Sequence, residues 1–357
     1  MWKGWIGFIF FFPVGLHAGE TYPPCEECWL SSDNRTSGMS TIVETGGRLL
    51  VVWQDCDSNK LIGRRCDQGR WSEPYEIFPQ ASGLFSHPVL VRISSQEIWL
   101  FYRKQQVGES ISKPYVAFSF NSGVHWLEHR LLPPGIEGTT RNPPYVDRIR
   151  NRVYIPSFSV YESPDQELIG DSWVEIYNFF SRSWEGRMGP ILGGSRNQVS
   201  IEPAIVKLTS NKLALFFRNA FVEESYICLS VSTNQGISWS KLKNLPWRSY
   251  DNSISVQSGR NGKLYLFANS APAGERLTCF SSYNEGITWN HPKLIDSGYS
   301  IDPSTYLDRQ GCMHLVYTSK DAQGTQRIKY YRIKEDTLLL NCPACWILED
   351  VQESTEE

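Results

Sequence analysis

The chain has 357 residues, enough for one large domain or two average ones, with an ordinary globular composition and a 13% aromatic share. Its net charge of −3, without any long basic run, excludes the electrostatic footprint expected of a nucleic-acid-binding protein. Short apolar runs broken by Gly, Pro, Asn and Ser recur while long helical patterns are scarce, which predicts an all-β fold.

The first segment, MWKGWIGFIFFFPVGLHAGE, carries Lys3, an apolar stretch from Gly4 to Leu16 and small residues at Ala18 and Gly19. The stretch is shorter than the ~20 residues of a membrane span, so residues 1–18 read as a cleaved signal peptide and the mature chain as exported, with no membrane attachment. Residues 19–35 form an N-terminal segment containing Cys25 and Cys28, and 337–357 a C-terminal segment with Cys342, Cys345 and an acidic tail. If the chain ends meet, these four cysteines are expected to form disulfides or a four-cysteine zinc site, and export favours disulfides. Cys56 and Cys66 flank a short hairpin centred near Leu61, which sets them opposite each other and makes a bridge between them feasible. Asn34-Arg35-Thr36 is a glycosylation sequon.

Between these segments, residues 36–336 are built from a repeated hairpin. EPAIVKLTSNKLALFFR (202–218) reverses about Ser210, which sets Glu202 opposite Arg218. The same frame starts at Met39, His87, Asn142, Asn252 and Asp302. Successive starts lie 48, 55, 60, 50 and 50 residues apart, the period of a repeat architecture whose units are β-hairpins. A second signature, Ser-x-Asn-x-Gly-x-x-Trp, follows at 119–126, 232–239 and 282–289, with Trp71 and Trp184 in degenerate versions. Asn and Gly there suit a tight turn, and Trp suits the space between sheets. The repeats predict a six-bladed β-propeller of four-stranded antiparallel blades. The hairpin ends then converge on one face and gather Asp55, His87, Arg103, Asn142, Glu202, Arg218, Asn252 and Asp302, where a ligand is expected.

The Ser-x-Asn-x-Gly-x-x-Trp boxes resemble the Asp-boxes of the sialidase superfamily, with Asn where Asp is usual. Glu-Pro-x-Ile-Val-x-Leu, with an Arg sixteen residues after the Glu, is similar to that family's fourth-blade segment, in which the Glu activates a tyrosine nucleophile and the Arg grips a substrate carboxylate. GERLTCFSSYNEGITW resembles the segment carrying a further carboxylate-binding Arg, here Arg276, and the GYS tripeptide resembles the nucleophile segment, here Tyr299. The resemblance spans roughly residues 36–336 and implies a glycosidase acting on terminal acidic sugars, with a carbohydrate partner, no cofactor and no catalytic metal. A neutral tyrosine suits a sugar whose reacting carbon bears a carboxylate, since an anionic nucleophile would be repelled.

Two departures stand out. TSGMSTIVE has no Arg where the family's first triad Arg belongs; Arg35 lies just upstream, and Arg103 or Arg141 offers a substitute cation. The short WQDCDSNK turn offers Asp55 or Asp57 for the acid, without a clean match. The alternative expectation is a non-catalytic glycan-binding propeller, or one retooled for another acidic polysaccharide, for example as a lyase.

Overall fold

In the computed structural model the described residues are 25–162, 168–191, 199–220, 226–248, 250, 252–290 and 292–339. The segment 1–18 and the cysteines at 342 and 345 lie outside them. The chain is an all-β propeller of four-stranded antiparallel blades. One set comprises Ser37–Thr45, Arg48–Asp55, Lys60–Asp67 and Arg70–Trp71, with Tyr75–Glu76 also pairing to its third strand. The next comprises Leu84–Arg92, Ile98–Gln105, Lys113–Ser119 and Leu127–Leu131. Tyr145–Asp147, Arg152–Glu162, Leu168–Asn178 and Ser183–Met188 form a third, and Val199–Lys207, Leu213–Ala220, Tyr226–Ser232 and Lys243–Arg248 a fourth. A seven-stranded sheet contains the rest: Ser255–Ser258, Leu264–Asn269, Glu275–Ser282, Lys293–Leu307, Cys312–Lys320, Gln326–Lys334 and Cys25–Trp29. Its long strand Lys293–Leu307 works twice. Lys293 to Tyr299 pairs with Glu275–Ser282, and Ser300 to Leu307 pairs with Cys312–Lys320.

Burial explains the strand sequences. Second strands such as RLLVVWQD read as continuous apolar runs because both faces are covered by neighbouring sheets, whereas the outer strand SWEGRM alternates exposed and half-buried residues. Successive side chains point to opposite faces, so Leu50 and Val52 pack with Leu90 and Leu100 of the next set, while Leu49 and Val51 pack with Val316 and Tyr330 of the last. The same interleaving joins Val89 to Val153, Tyr154 to Leu215, Phe216 to Leu264, and Tyr265 to Leu315. First and last sets therefore pack together and close a ring. Closure is reinforced by Cys25–Trp29, which adds in antiparallel register to the last strand, Glu27 facing Tyr331. Residues 25–29, placed by sequence in a segment preceding the propeller, are thus its outermost strand.

Trp126, Trp239 and Trp289 wedge into these inter-sheet cores. In each box the Asn carboxamide oxygen accepts the N–H four residues on (Asn121 from His125, 2.9 Å; Asn234 from Ser238, 2.9 Å; Asn284 from Thr288, 2.8 Å). Asn supplies the acceptor oxygen that Asp would, and in two boxes its amide also donates to the hydroxyl of the same residue (Asn234 to Ser238 and Asn284 to Thr288, both 2.8 Å).

The Cys56–Cys66 bridge is absent. The chain reverses between Asp57 and Ser58 rather than at Leu61, and Asp55 pairs with Lys60. Cys56 therefore stays in the turn, while Cys66 is carried to the far end of its strand, opposite Leu49 and Trp71.

Candidate functional site

The register that sets Glu202 opposite Arg218 holds from Lys207 through Ala204 and then breaks. Ala204 faces Phe216, but Ile201, not Glu202, faces Arg218. Pro203 has no N–H to give the ladder, so the strand bulges, and Glu202 takes a left-handed φ of 51°. The device recurs where three of the other five hairpins begin: His87 (φ 54°) and Asp302 (φ 55°), each followed by Pro, and Met39 (φ 53°). The bulge brings the Glu202 carboxylate into a buried polar network drawn from several blades.

Arg218 donates to both carboxylate oxygens of Glu202, from Nε at 2.8 Å and from Nη2 at 3.2 Å. Ser253, from the next hairpin, donates its single hydroxyl proton into the gap between Glu202 Oε2 at 2.8 Å and Asp302 Oδ1 at 3.0 Å. Arg141 lies 3.5 Å from Glu202 Oε1 and 3.1 Å from Asp302 Oδ1. Those two contacts are within ion-pair range but lack hydrogen-bond alignment, so their attraction is mainly charge against charge. Asn142 donates to the Glu202 carbonyl at 3.1 Å. Burial alone would raise the Glu202 pKa, but Arg141, Arg218 and the Ser253 bond outweigh it and bring it down to about 2. For Arg141 burial opposes the charge, and Asp302 and Glu202 more than restore it.

His87 sits beside this network. Burial first, then the positive charges of Arg141 and Arg103, press its pKa down to about 4, so the ring is neutral at ordinary pH. Its Nδ1 is buried without a hydrogen-bond partner among the described residues. An orphaned polar atom in such a place is a pointer to function. Arg103 pairs with Glu137 at 2.8 Å on the same side.

The loop that delivers Arg141 is held from behind by a residue the sequence reading did not single out. Glu175, fully buried on Leu168–Asn178, accepts from the backbone N–H of Glu137 (2.8 Å) and Gly138 (3.0 Å) and from Trp173 Nε1 (2.9 Å). Gly138 has a φ of 67°, and an added Cβ would lie 2.8 Å from Leu132 Cδ1, so the loop needs glycine there. Burial raises the Glu175 pKa against the pull of those donors. Ser253 and Glu137 were also missed. A lone acid in the apolar run WVEIY was the signal for Glu175; the other two contacts lie between blades and leave no mark in local pattern.

The remaining expected residues stand apart from the network. Asp55 accepts from Arg35 Nη1 at 2.6 Å and from the backbone N–H of Asp57 and Ser58, both at 3.1 Å. Burial pushes its pKa up, yet the Arg35 and Ser58 bonds win and lower it. Asp57 accepts from Thr36 N–H at 2.9 Å. Both acids are thus engaged in the first-set turn, and Arg35 is spent on Asp55. At the position lacking the first Arg, a Cβ on Gly38 would meet only Cys56 Sγ at 3.8 Å and Thr318 Oγ1 at 3.9 Å. Asn252 donates to the Tyr250 carbonyl at 2.9 Å, leaving its neighbour Ser253 to enter the network. Arg276 is exposed, with a φ of 58°. Tyr299 lies opposite Glu275, accepts from Gln326 Nε2 at 3.3 Å, and has Lys320 Nζ 4.2 Å from its ring centroid. Burial first, then Asp302, raises its pKa. The structure therefore gathers His87, Arg141, Asn142, Glu202, Arg218 and Asp302, adds Ser253, and sets Tyr299 at the flank beside Asp302. The cavity left at the centre, bordered by Met39, Arg141, Ser253 and Asp302, is small, about 10 Å³.

A ring of Asp-boxed blades around such a network defines a sialidase-like BNR propeller. Residues 47–333 match the model of the BNR repeat-like domain, and the chain belongs to that family. Among curated proteins none matches the sequence. Similar solved structures include a protein of unknown function from Dyadobacter fermentans, with 13% identity and a TM-score of 0.72 over 88% of this chain and 100% of that one. NanB sialidase from Streptococcus pneumoniae is similar at 14% identity and a TM-score of 0.66, over 87% of this chain and 70% of that one. An α-L-arabinofuranosidase from Fusarium graminearum is similar at 12% identity and a TM-score of 0.66, over 89% and 99%. At these identities the likeness is one of fold.

Proposed function

We propose that this chain is an exported glycoside hydrolase of the sialidase-like class, with six blades, whose channel face acts on terminal sugars bearing a carboxylate. The blade count rests on the six hairpin starts and on reading the seven-stranded sheet as two blades sharing Lys293–Leu307. The observation that carries the activity is the buried set of Arg141, Arg218, Glu202 and Asp302 at the mouth of the channel. Two guanidinium groups held by internal carboxylates form a site in which a ligand carboxylate can take their place.

That exchange would also prepare the base. With both cations on it, Glu202 is too weak a base to deprotonate a phenol. A sugar carboxylate that draws Arg141 and Arg218 away lets the Glu202 pKa climb, and Tyr299 can then be activated once its hydroxyl leaves Gln326. Tyr299 attacks the anomeric carbon, the leaving group departs with a proton from an acid, and water releases the sugar from the tyrosine. Asp55 and Asp57 were the sequence candidates for that acid, with Arg103 and Arg276 as outer contacts to the sugar.

A specific contact favours a second reading. Ser253 hydrogen-bonds both Glu202 and Asp302, so the two carboxylates flank a single hydroxyl, a proximity that a retaining nucleophile–acid pair also needs. On that reading the sugar is neutral and Tyr299 is dispensable. Turnover of a fluorogenic sialoside and a fluorogenic arabinofuranoside by wild type, Tyr299→Phe and Glu202→Gln separates the two. Sialoside turnover lost in both variants supports the first. Arabinofuranoside turnover lost only in Glu202→Gln supports the second. Glycan binding without turnover of either substrate would contradict both.

A further inference from the structure

The hairpins start at the channel mouth, so the turns within each antiparallel pair lie at the opposite end of the ring. This turn face consists of the inner turns 45–48, 92–98, 147–152, 207–213, 258–264 and 307–312. The outer turns 67–70, 119–127, 178–183, 232–243 and 282–293, with 334–339, complete it. Neighbouring turns are joined into one surface. Gly46 N–H donates to the Ser95 carbonyl at 2.8 Å, Phe179 N–H to the Asn151 carbonyl at 2.9 Å, and Ser210 N–H to Glu285 Oε1 at 2.6 Å.

The face is basic, although the whole chain carries a net charge of −3. Arg70, Arg182, Lys212, Lys241, Lys243 and Arg309 stand exposed on these turns, and no ion pair engages their side chains among the described residues. Arg148 and Arg260 each donate to a backbone carbonyl, of Ile93 and Arg309, and keep their charge. Of the described acids on the same turns, only Asp67 and Asp336 are exposed, paired with Arg48 at 2.9 Å and Lys263 at 3.9 Å. Asp147 is buried against Arg150, and Glu285 is taken by Ser210. No basic run marks this surface in the sequence because its cations come from separate blades.

The same turns hold apolar side chains out in solvent. Ile149 is 84% exposed, Phe180 82%, Ile287 73% and Ile237 67%. Their turns fix them there. Asp147 Oδ1 accepts from the N–H of Ile149 and Arg150 at 3.0 and 3.1 Å, and Asn178 Oδ1 from Phe180 and Ser181, both at 3.0 Å. Ile237 and Ile287 follow the box glycines, and they point outward while Trp239 and Trp289 pack inward. Exposed apolar tips among unpaired cations suit a partner that is both anionic and apolar. A bilayer containing anionic lipid has that chemistry, since its headgroups meet Lys and Arg while its acyl boundary takes the tips. A dissolved polyanion would use the cations and leave the tips in water.

We propose that the turn face is a docking surface for an anionic lipid bilayer, with Ile149 and Phe180 entering the headgroup–acyl boundary and Arg182, Lys212 and Arg309 on the headgroups. The channel mouth then faces away from the membrane. The sequence expectation of a mature chain without membrane attachment rests on the lack of a spanning segment, and a surface contact needs none. The docking is independent of the chemistry at the mouth and holds whether or not that face is catalytic.

The test is co-sedimentation with vesicles of phosphatidylcholine alone and of phosphatidylcholine mixed with phosphatidylglycerol. The chain is taken from residue 19, so that the apolar stretch Gly4 to Leu16 contributes nothing. Binding to the mixed vesicles only, reversed by high salt, is expected. The Ile149→Ser/Phe180→Ser variant should bind ~10-fold or more weakly, and so should Arg182→Gln/Lys212→Gln. Val107→Ser/Ile111→Ser, which removes exposed apolar groups from a loop on the mouth side, should bind as wild type does. All these side chains stand in solvent, so melting temperatures should not move. Absence of wild-type binding to the mixed vesicles, or equal binding to phosphatidylcholine alone, overturns the proposal. So does undiminished binding by Ile149→Ser/Phe180→Ser, which would make the face a general polyanion surface of the kind heparin occupies.

Discussion

Glu202 is held by two cations and a hydroxyl in a place where water cannot replace them. Removing its charge should therefore do more harm than the pair itself does good. Glu202→Gln leaves Arg141 and Arg218 buried and under-compensated, and urea denaturation should show a loss of about 3–5 kcal/mol. The native pKa of about 2 lies below the ordinary value of 4.5, so this group's contribution is present above pH 4.5 and lost as pH falls toward 2. His87 acts in the same direction in a higher window. Its folded pKa of about 4 lies below the unfolded 6.5, so stability is full above pH 6.5 and declines as pH falls toward 4. Melting curves across that range should fall by an amount of order 2 kcal/mol in wild type, and His87→Gln should flatten that part of the profile.

At the scale of elements, the recurring bulge is what turns a repeat into a site. A regular hairpin would set Glu202 across from Arg218 as an ordinary ladder pair; the left-handed residue before Pro203 instead places its carboxylate within reach of Arg141 and Ser253. The spacing of the repeats and the positions of Glu202, Arg218 and Asp302 were legible in the chain because they follow a period, whereas Arg141 was read only as a substitute cation for the missing first Arg. Ser253 was read one residue off, at Asn252, because a bulge moves side chains by single positions that pattern does not resolve. Glu175 left a signal, a lone acid in an apolar run, but its role was not legible because it acts through the backbone N–H groups of Glu137 and Gly138, far away in sequence. Glu175→Gln turns one acceptor oxygen into a donor facing an N–H, and it should cost about 1–3 kcal/mol in chemical denaturation. The same change should lower turnover through a displaced Arg141, with sialoside KM rising more than kcat falls. The Asn-containing boxes are stabilising turns. Asn284→Ala, which removes the acceptor for Thr288 N–H, should cost about 1 kcal/mol and leave glycan binding unchanged.

For the whole molecule, stability comes from facing blades, and the first-to-last interface is built like the others. Ile328 is fully buried there beside Val51 and Trp53. Ile328→Ala should cost about 2–5 kcal/mol by denaturant titration, the range expected for an aliphatic residue inside the ring. A much smaller loss would mean that the ring is not closed. Closure matters to function because only a ring brings residues 87, 141, 202, 218, 253 and 302 to one mouth.

The most direct measurement is a crystal structure of the chain with an unsaturated sialic acid analogue, a stable mimic of the flattened sugar. The account predicts the ligand at the channel mouth, with its carboxylate within hydrogen-bond distance of Arg218 and Arg141 and with Glu202 released toward Tyr299. Density confined to the opposite rim, or an empty mouth with the Glu202–Arg218 pair intact at saturating ligand, would contradict it.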